Sequence, residues 1–188
     1  MLFRTLLILC FSYLLAGCCN DSEVKLASSV FGWNPYTGPA TIQLKSTTGE
    51  TTTFSVQTKS YNQYGHDKIC GSYPIETIET VLTQQDQDLQ VQIILSHAAL
   101  VSIKVSANNS SAKNLDIRFN AISEKYVTED WQDKFYEEIS LNGVSYKQVL
   151  WAHGTAYVGD QAFTDLYYGK DIGLIAFRTV ASKWFYLK

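Results

Sequence analysis

The sequence contains no run of lysine or arginine, and its formal net charge at pH 7 is −3. Proteins that bind nucleic acids normally present a basic face, because contacts with phosphates supply much of their affinity. A protein held to anionic lipid by charge alone would also need a cluster of basic residues. The charge balance therefore argues against a nucleic-acid partner and against a purely electrostatic attachment to a membrane.

Long apolar segments are also missing after the N-terminus. Residues 5–15, which follow Arg4, form the only extended apolar run. This run is about 11 residues long, whereas a membrane-spanning helix needs about 20. The pattern argues against several membrane-spanning helices, and it is typical of the short apolar part of a secretory signal peptide.

The motifs of common catalytic and metal sites are absent too. The sequence has no glycine-rich phosphate loop, no serine nucleophile elbow and no His-Glu-x-x-His motif. Metal sites favour closely spaced histidines, whereas His66, His97 and His153 lie far apart in the chain. We therefore expect no metal site and no cofactor in the folded domain.

Residues 1–17 end in a pattern that resembles the bacterial lipobox, in which an aliphatic residue and two small residues precede a cysteine. The matching residues are Leu15, Ala16, Gly17 and Cys18. The resemblance implies cleavage between Gly17 and Cys18 and a diacylglyceryl group on the Cys18 thiol. Two or more acyl chains hold a protein stably at a membrane, so this covalent lipid would serve as the membrane anchor.

The residue after the expected lipidation site is Cys19. In enterobacterial lipoproteins an aspartate at this position resembles an inner-membrane retention signal, so its absence favours the outer membrane. Asp21 and Glu23, slightly further on, resemble the acidic surface-export signals of some other bacteria. We expect a cell-envelope lipoprotein, in the outer rather than the inner membrane, on either its periplasmic or its external face.

The four cysteines have different expected fates. Cys10 leaves with the signal peptide and Cys18 carries lipid, so Cys19 and Cys70 remain. An oxidising compartment permits these two to form a disulfide. The alternative is a free Cys19 and a buried, unreactive Cys70, because free cysteine often behaves as a small core residue.

Apolar and polar residues alternate with a period of two in most of the chain, as they do over residues 89–95 and 115–121. This alternation predicts strands with one buried face. Asn142 and Gly143 lie between two such segments and predict a type I′ hairpin. Because the gaps between strands are too short for crossover helices, we expect an antiparallel meander that forms a sandwich or a strongly curved sheet.

The domain boundaries follow from composition. Residues 18–30 are mostly small and polar, which predicts a lipidated N-terminus and a flexible tether. A single β-rich domain is expected over residues 31–188. One short helix is plausible near residues 128–136, where Trp131 and Phe135 are four apart, although its far half could belong to the following hairpin.

Aromatic residues crowd the last third of the chain. Adjacent residues on a strand face opposite ways, so Tyr167 and Tyr168 cannot both point into the core. Core packing and cross-strand pairs explain many of the rings. An exposed aromatic face that binds sugars or peptides is the alternative. Its candidate residues are Trp131, Trp151, Tyr167, Tyr168, Trp184 and Tyr186.

Residues 167–177, followed by Trp184, also resemble the C-termini of small uncharacterised envelope lipoproteins. This second resemblance covers a short segment and implies no activity. It agrees with the lipobox in the class of protein that it indicates.

Three functions fit these features. We favour a non-enzymatic binding module for an envelope protein, a glycan or a peptide. A curved sheet lined with isoleucine, leucine and valine would instead suit a carrier of an acyl chain or another apolar ligand. A thiol-dependent hydrolase would use Cys70 with His66 or His153 as its base, although Cys70 precedes a strand pattern rather than starting a helix.

The lipobox resemblance predicts the chemistry of the mature N-terminus. Mass spectrometry of the protein purified from its own envelope should find a chain that begins at Cys18 and carries two or three acyl chains. Cys18→Ala should abolish the acyl mass, whereas Cys19→Ala should leave it unchanged. Lipid on Cys19, or an intact leader, would contradict the prediction.

Overall fold

The computed structural model describes residues 23–67, 71–85, 89–107, 115–127, 133–156, 163–179 and 181–188. These residues form one 3₁₀ helix, Ser28–Trp33, and twelve strands. The strands are β1 Ala40–Ser46, β2 Thr51–Asp67, β3 Gly71–Gln84, β4 Leu89–Ser96, β5 Leu100–Ala107, β6 Leu115–Asn120, β7 Lys125–Tyr126, β8 Lys134–Leu141, β9 Val144–Ala156, β10 Phe163–Gly169, β11 Gly173–Thr179 and β12 Trp184–Leu187. No helix among the described residues has the length and apolar character needed to cross a membrane.

All twelve strands belong to one antiparallel sheet in the order β7-β6-β5-β4-β3-β2-β1-β12-β11-β10-β9-β8. Neighbouring strands in the sheet are therefore neighbours in the chain, except that β1 pairs with β12. The sheet curls until its two edges approach, and the Tyr126 hydroxyl of β7 donates a hydrogen bond to the Lys134 carbonyl of β8 (2.6 Å). The prediction of an antiparallel, strongly curved meander is confirmed.

The turn between β8 and β9 shows how local chemistry sets the register. Asn142 and Gly143 both have positive φ, at 50° and 80°, and they connect the paired residues Leu141 and Val144. Two central residues with positive φ define a type I′ turn, whose twist matches that of the flanking strands. The hairpin predicted at Asn142 and Gly143 is therefore confirmed.

The inner face of the sheet carries one continuous apolar cluster. The alternating residues of β4 illustrate the rule, since Leu89, Val91, Ile93 and Leu95 all point inward and are almost completely buried. The 3₁₀ helix adds Trp33, which makes an edge contact with Phe119 (5.2 Å between ring centroids). The remaining large aromatic members are Phe54, Tyr168 and Phe177.

The described part of the predicted tether belongs to the folded domain, which corrects the boundary set at residue 31. Val24 forms a parallel bridge with Ile75 of β3, and Leu26 and Val30 are only 8% and 0% exposed. The segment makes one bridge and then enters the 3₁₀ helix. Its apolar residues therefore do not alternate with a period of two, and the sequence pattern does not reveal their burial. Residues 18–22 lie outside the described residues.

The helix predicted near residues 128–136 is not found in the part that can be compared. From Lys134 onward the chain is β8, and Phe135 pairs with Leu150 of β9. Phe135 packs against Phe119 of β6 (5.3 Å between centroids), so a contact between the two edge regions of the sheet, rather than a helix face, explains the position of this ring. Residues 128–132 lie outside the described residues.

Candidate functional site

Strands β8–β12 differ from the rest of the sheet because their outer face is apolar as well. Val149, Ile175 and Ala176 are completely buried on this face and form a second cluster, separate from the inner one. Several half-buried side chains pack against it: Tyr136, Ile139, Leu141, Tyr146, Tyr167, Ile172, Trp184 and Tyr186. The solvent-exposed face of an antiparallel sheet normally carries polar side chains, so exposure to water does not explain this apolar layer.

Four rings on this face are in contact and are named here the aromatic row: Trp151, Tyr167, Trp184 and Tyr186. The centroid distance is 6.3 Å from Trp151 to Tyr167, 5.8 Å from Tyr167 to Trp184 and 5.8 Å from Trp184 to Tyr186. His153 extends the row with a stacked contact to Trp151 (5.7 Å). Each ring is partly exposed, so the row offers apolar surface to a partner.

The strand register explains why the rings meet. Tyr167 lies opposite Trp151 on one side and Ala176 on the other, and Ala176 lies opposite Tyr186. Alanine in the intervening strand leaves room above it, so the rings of β10 and β12 close over β11 and bury Ala176. Direct and diagonal neighbours across strands are the pairs that can interact in this way.

A buried carboxylate orients one end of the row. The Asp165 side chain is only 7% exposed. Its Oδ1 accepts a hydrogen bond from Trp151 Nε1 (3.1 Å) and lies 2.9 Å from His153 Nδ1. Thr164 Oγ1 donates to Oδ2 (3.0 Å). A carboxylate accepts hydrogen bonds, so the N–H groups beside it must point toward its oxygens. Asp165 therefore fixes the orientation of the indole and the imidazole.

Two cations flank the aromatic row. Lys134 Nζ lies 5.6 Å from the ring centroid of Trp151, and the Arg178 guanidinium carbon lies 5.8 Å from that of Trp184. Arg178 also approaches Asp165 Oδ2 at 3.7 Å. Cations over aromatic faces are attracted by the ring quadrupole, so the row combines apolar rings with hydrogen-bond donors at its margins.

The phenols of the row stay protonated over the physiological range. Partial burial, with smaller contributions from Tyr136, Asp165 and Tyr186, raises the pKa of Tyr167 to about 12. Burial also raises the pKa of Tyr186. Both hydroxyls therefore remain able to donate hydrogen bonds at neutral pH.

The structure brings together four of the six candidate aromatics, those of the aromatic row. Tyr168 is corrected: it is 0% exposed and its hydroxyl donates to the Trp33 carbonyl inside the core (2.8 Å). It faces inward because Tyr167, its neighbour on the strand, faces outward. Trp131 lies outside the described residues, as do the expected cleavage and lipidation sites, Gly17 and Cys18.

The histidines do not converge on one site. His66 lies in the β2–β3 hairpin beside the Ser72 hydroxyl (2.9 Å), and His97 lies in the β4–β5 turn. Within the described ranges no three His, Cys, Asp or Glu side chains are grouped as metal ligands would be. Cys70 lies outside those ranges, so its proximity to an imidazole stays a prediction.

Sequence reasoning missed Asp165, Arg178 and Lys134 as members of this surface. The signal for Asp165 was its position two residues before Tyr167, which places both on the same strand face. Arg178 and Lys134 depend on which strands are paired, and on a bulge in the β10–β11 pairing after Tyr167, so the sequence alone gave no sign of them.

The chain was compared with protein-family models, curated proteins and solved structures. No family model, no curated protein and no solved structure matches it significantly. The geometry of the outer face is therefore the feature from which a function can be inferred.

The buried carboxylate yields a stability prediction. Asp165→Ala should lower the free energy of unfolding by about 2 kcal/mol, because the donors of Trp151 and His153 lose their acceptor. Asp116→Ala is the matched control: Asp116 is exposed, pairs with Arg118 on the surface and accepts one long hydrogen bond from Ser102 (3.3 Å), so the loss should stay below about 1 kcal/mol. Urea denaturation followed by tryptophan fluorescence measures both values. Equal effects of the two substitutions would show that Asp165 does not organise the surface.

Proposed function

We propose that this chain is a lipid-anchored binding module of the bacterial cell envelope, with the aromatic row as its contact surface. The observation that carries the proposal is a set of mutually contacting, partly exposed rings on an outer face that has its own buried apolar layer. Apolar surface that is exposed to solvent in this way marks sites of interaction. Tyrosine and tryptophan are also enriched in binding surfaces because they offer large, rigid contact area.

The polar groups at the margins favour a partner that has both flat apolar faces and hydrogen-bonding groups. A glycan ring or an aromatic-containing peptide of an envelope protein meets this description. Rings of the row can stack on such a partner, while the phenols of Tyr167 and Tyr186 and the cation of Lys134 provide donors. The proposal is therefore non-enzymatic binding of a glycan, a peptide or an envelope protein.

The carrier alternative has less support. The side chains that point into the curved sheet pack against one another in a single cluster that includes five large aromatic residues. An acyl chain would have to displace part of this cluster, which costs packing energy. Among the described residues, the partly exposed rings of β8–β12 lie on the outer face instead.

The test removes two rings at once. Trp184→Ala combined with Tyr186→Ala should weaken binding of fragments of the envelope glycans roughly tenfold, because each stacked ring contributes about 0.5–1.5 kcal/mol. Binding is measured by isothermal titration calorimetry with purified fragments and, separately, with peptides from envelope proteins.

Tyr64→Ala is the matched control, since Tyr64 is an exposed tyrosine outside the row. It should leave the affinity unchanged. Unaltered binding in the double variant, or the same loss in the Tyr64 variant, would contradict the assignment of the aromatic row as the binding surface.

A further inference from the structure

The N-terminal segment runs along a part of the β2–β3 hairpin that projects from the sheet. Pairing between β3 and β4 ends at Ile78, whereas β2 and β3 stay paired as far as Asp67 and Gly71. Val24 donates to the Pro74 carbonyl (2.9 Å), and Glu76 donates back to the Val24 carbonyl (2.9 Å). The domain therefore holds its own N-terminus against the projecting hairpin.

The direction of this contact decides where the preceding residues lead. The bridge between Val24 and Ile75 is parallel, so the chain before Val24 heads toward the end of the hairpin where β3 begins. Further contacts fix the residues that follow Val24: the Leu26 N–H donates to the Glu76 carboxylate (2.9 Å), and the Ala27 N–H donates to the Ala98 carbonyl (2.7 Å). Residues 24–27 cannot move away from β3 without breaking these bonds.

On the basis of these contacts, we infer that the projecting end of the β2–β3 hairpin lies in the headgroup layer of the membrane to which Cys18 is anchored. The inference rests on the proposed lipidation of Cys18. The residues concerned are Tyr64, Gly65, His66, Ser72 and Tyr73.

The length of the connecting chain supports this placement. Residues 18–22 separate the anchor from Glu23 and span at most about 18 Å. The hairpin extends about 10 Å from the level of Pro74 to the start of β3 at Gly71. The lipidated cysteine therefore reaches at most about 8 Å beyond the paired strands, and any indirect path brings it closer.

The headgroup layer of a bilayer is about as thick as the distance that the lipidated cysteine can reach beyond the paired strands. The polar layer on each side of the hydrocarbon core is roughly 5–8 Å thick. Because the glyceryl group of an anchored cysteine lies at the inner boundary of this layer, the headgroups fill the distance between the anchor and the hairpin. The connection is too short to hold the hairpin clear of the membrane.

The side chains at the hairpin end suit this environment. Tyr64 is 70% exposed, and Tyr73 lies across Gly65, where a β-carbon would meet its ring at 2.6 Å. Tyrosine is enriched at membrane interfaces because one end of its ring is apolar and the other is polar. His66 and Ser72, which are hydrogen-bonded to each other (2.9 Å) and exposed, add polar groups that can bond to headgroups.

The test uses the full-length lipidated protein in vesicles of phosphatidylethanolamine and phosphatidylcholine. A benzophenone amino acid replaces Tyr64 in one variant and Thr47, exposed in the β1–β2 turn at the opposite end of the sheet, in another. Irradiation should give phospholipid adducts at position 64 at least tenfold more often than at position 47, as measured by mass spectrometry of the peptides.

A second variant tests the cause of the contact. Insertion of ten glycine and serine residues between Ser22 and Glu23 should lower the adduct yield at position 64 several-fold, since the chain no longer limits the distance. An unchanged yield would overturn the claim that the short connection imposes the contact.

The same samples separate the two hypotheses. If the Cys18 peptide carries acyl chains but positions 64 and 47 give equal adduct yields, the hairpin placement is overturned and the anchor stands. If the Cys18 peptide carries no acyl mass, the anchor itself is overturned, and the hairpin placement falls with it.

Discussion

The pairing of β1 with β12 is the contact on which the rest of the architecture depends. The sheet order places β2–β7 on one side of this pair and β8–β11 on the other, so the ladder from Leu44 and Leu187 to Ser46 and Phe185 is the only strand pairing that joins the two halves of the described sheet. It is short, and it joins residues from opposite ends of the domain. The inner apolar cluster, which spans both halves, supplies the stabilisation that so short a ladder lacks.

The same closure also makes the outer face of the second half. With β12 held between β1 and β11, Trp184 and Tyr186 point outward beside Tyr167, while Phe185 between them packs inward against Phe177 (4.8 Å between centroids). A strand with alternating polarity would bury one side only. Here both sets of side chains are apolar, and the outward set packs on the outer cluster of β8–β12.

Much of the fold was predictable because its cause is local. Period-two alternation and the Asn142-Gly143 turn predicted the antiparallel meander, since each strand pairs with its neighbour in the chain. The β1–β12 pairing joins strands that are distant in the chain, so no turn sequence predicts it. Sequence patterns do not predict the burial of Val24, Leu26 and Val30, because a bridge and a 3₁₀ helix bury them rather than a periodic element.

The candidate site was predictable in part for the same reason. Alternation required one ring of the pair Tyr167 and Tyr168 to face outward, but which ring is buried depends on a contact between distant segments, the hydrogen bond from the Tyr168 hydroxyl to the Trp33 carbonyl. Asp165, Arg178 and Lys134 join the rings only after the strands are aligned, so their role could not be inferred from spacing. Local sequence patterns thus predicted the aromatic rings, whereas the positions of the polar side chains beside them could be found only from the structure.

The proposed function requires that the outer aromatic row contacts a partner in the envelope. The most direct measurement is crosslinking in intact cells with a benzophenone amino acid at Tyr186, compared with the same probe at Gln57, which is exposed on β2. The account predicts one discrete adduct at position 186, absent at position 57 and lost when Trp184→Ala is added. No adduct at position 186, or the same adducts at both positions, would contradict it.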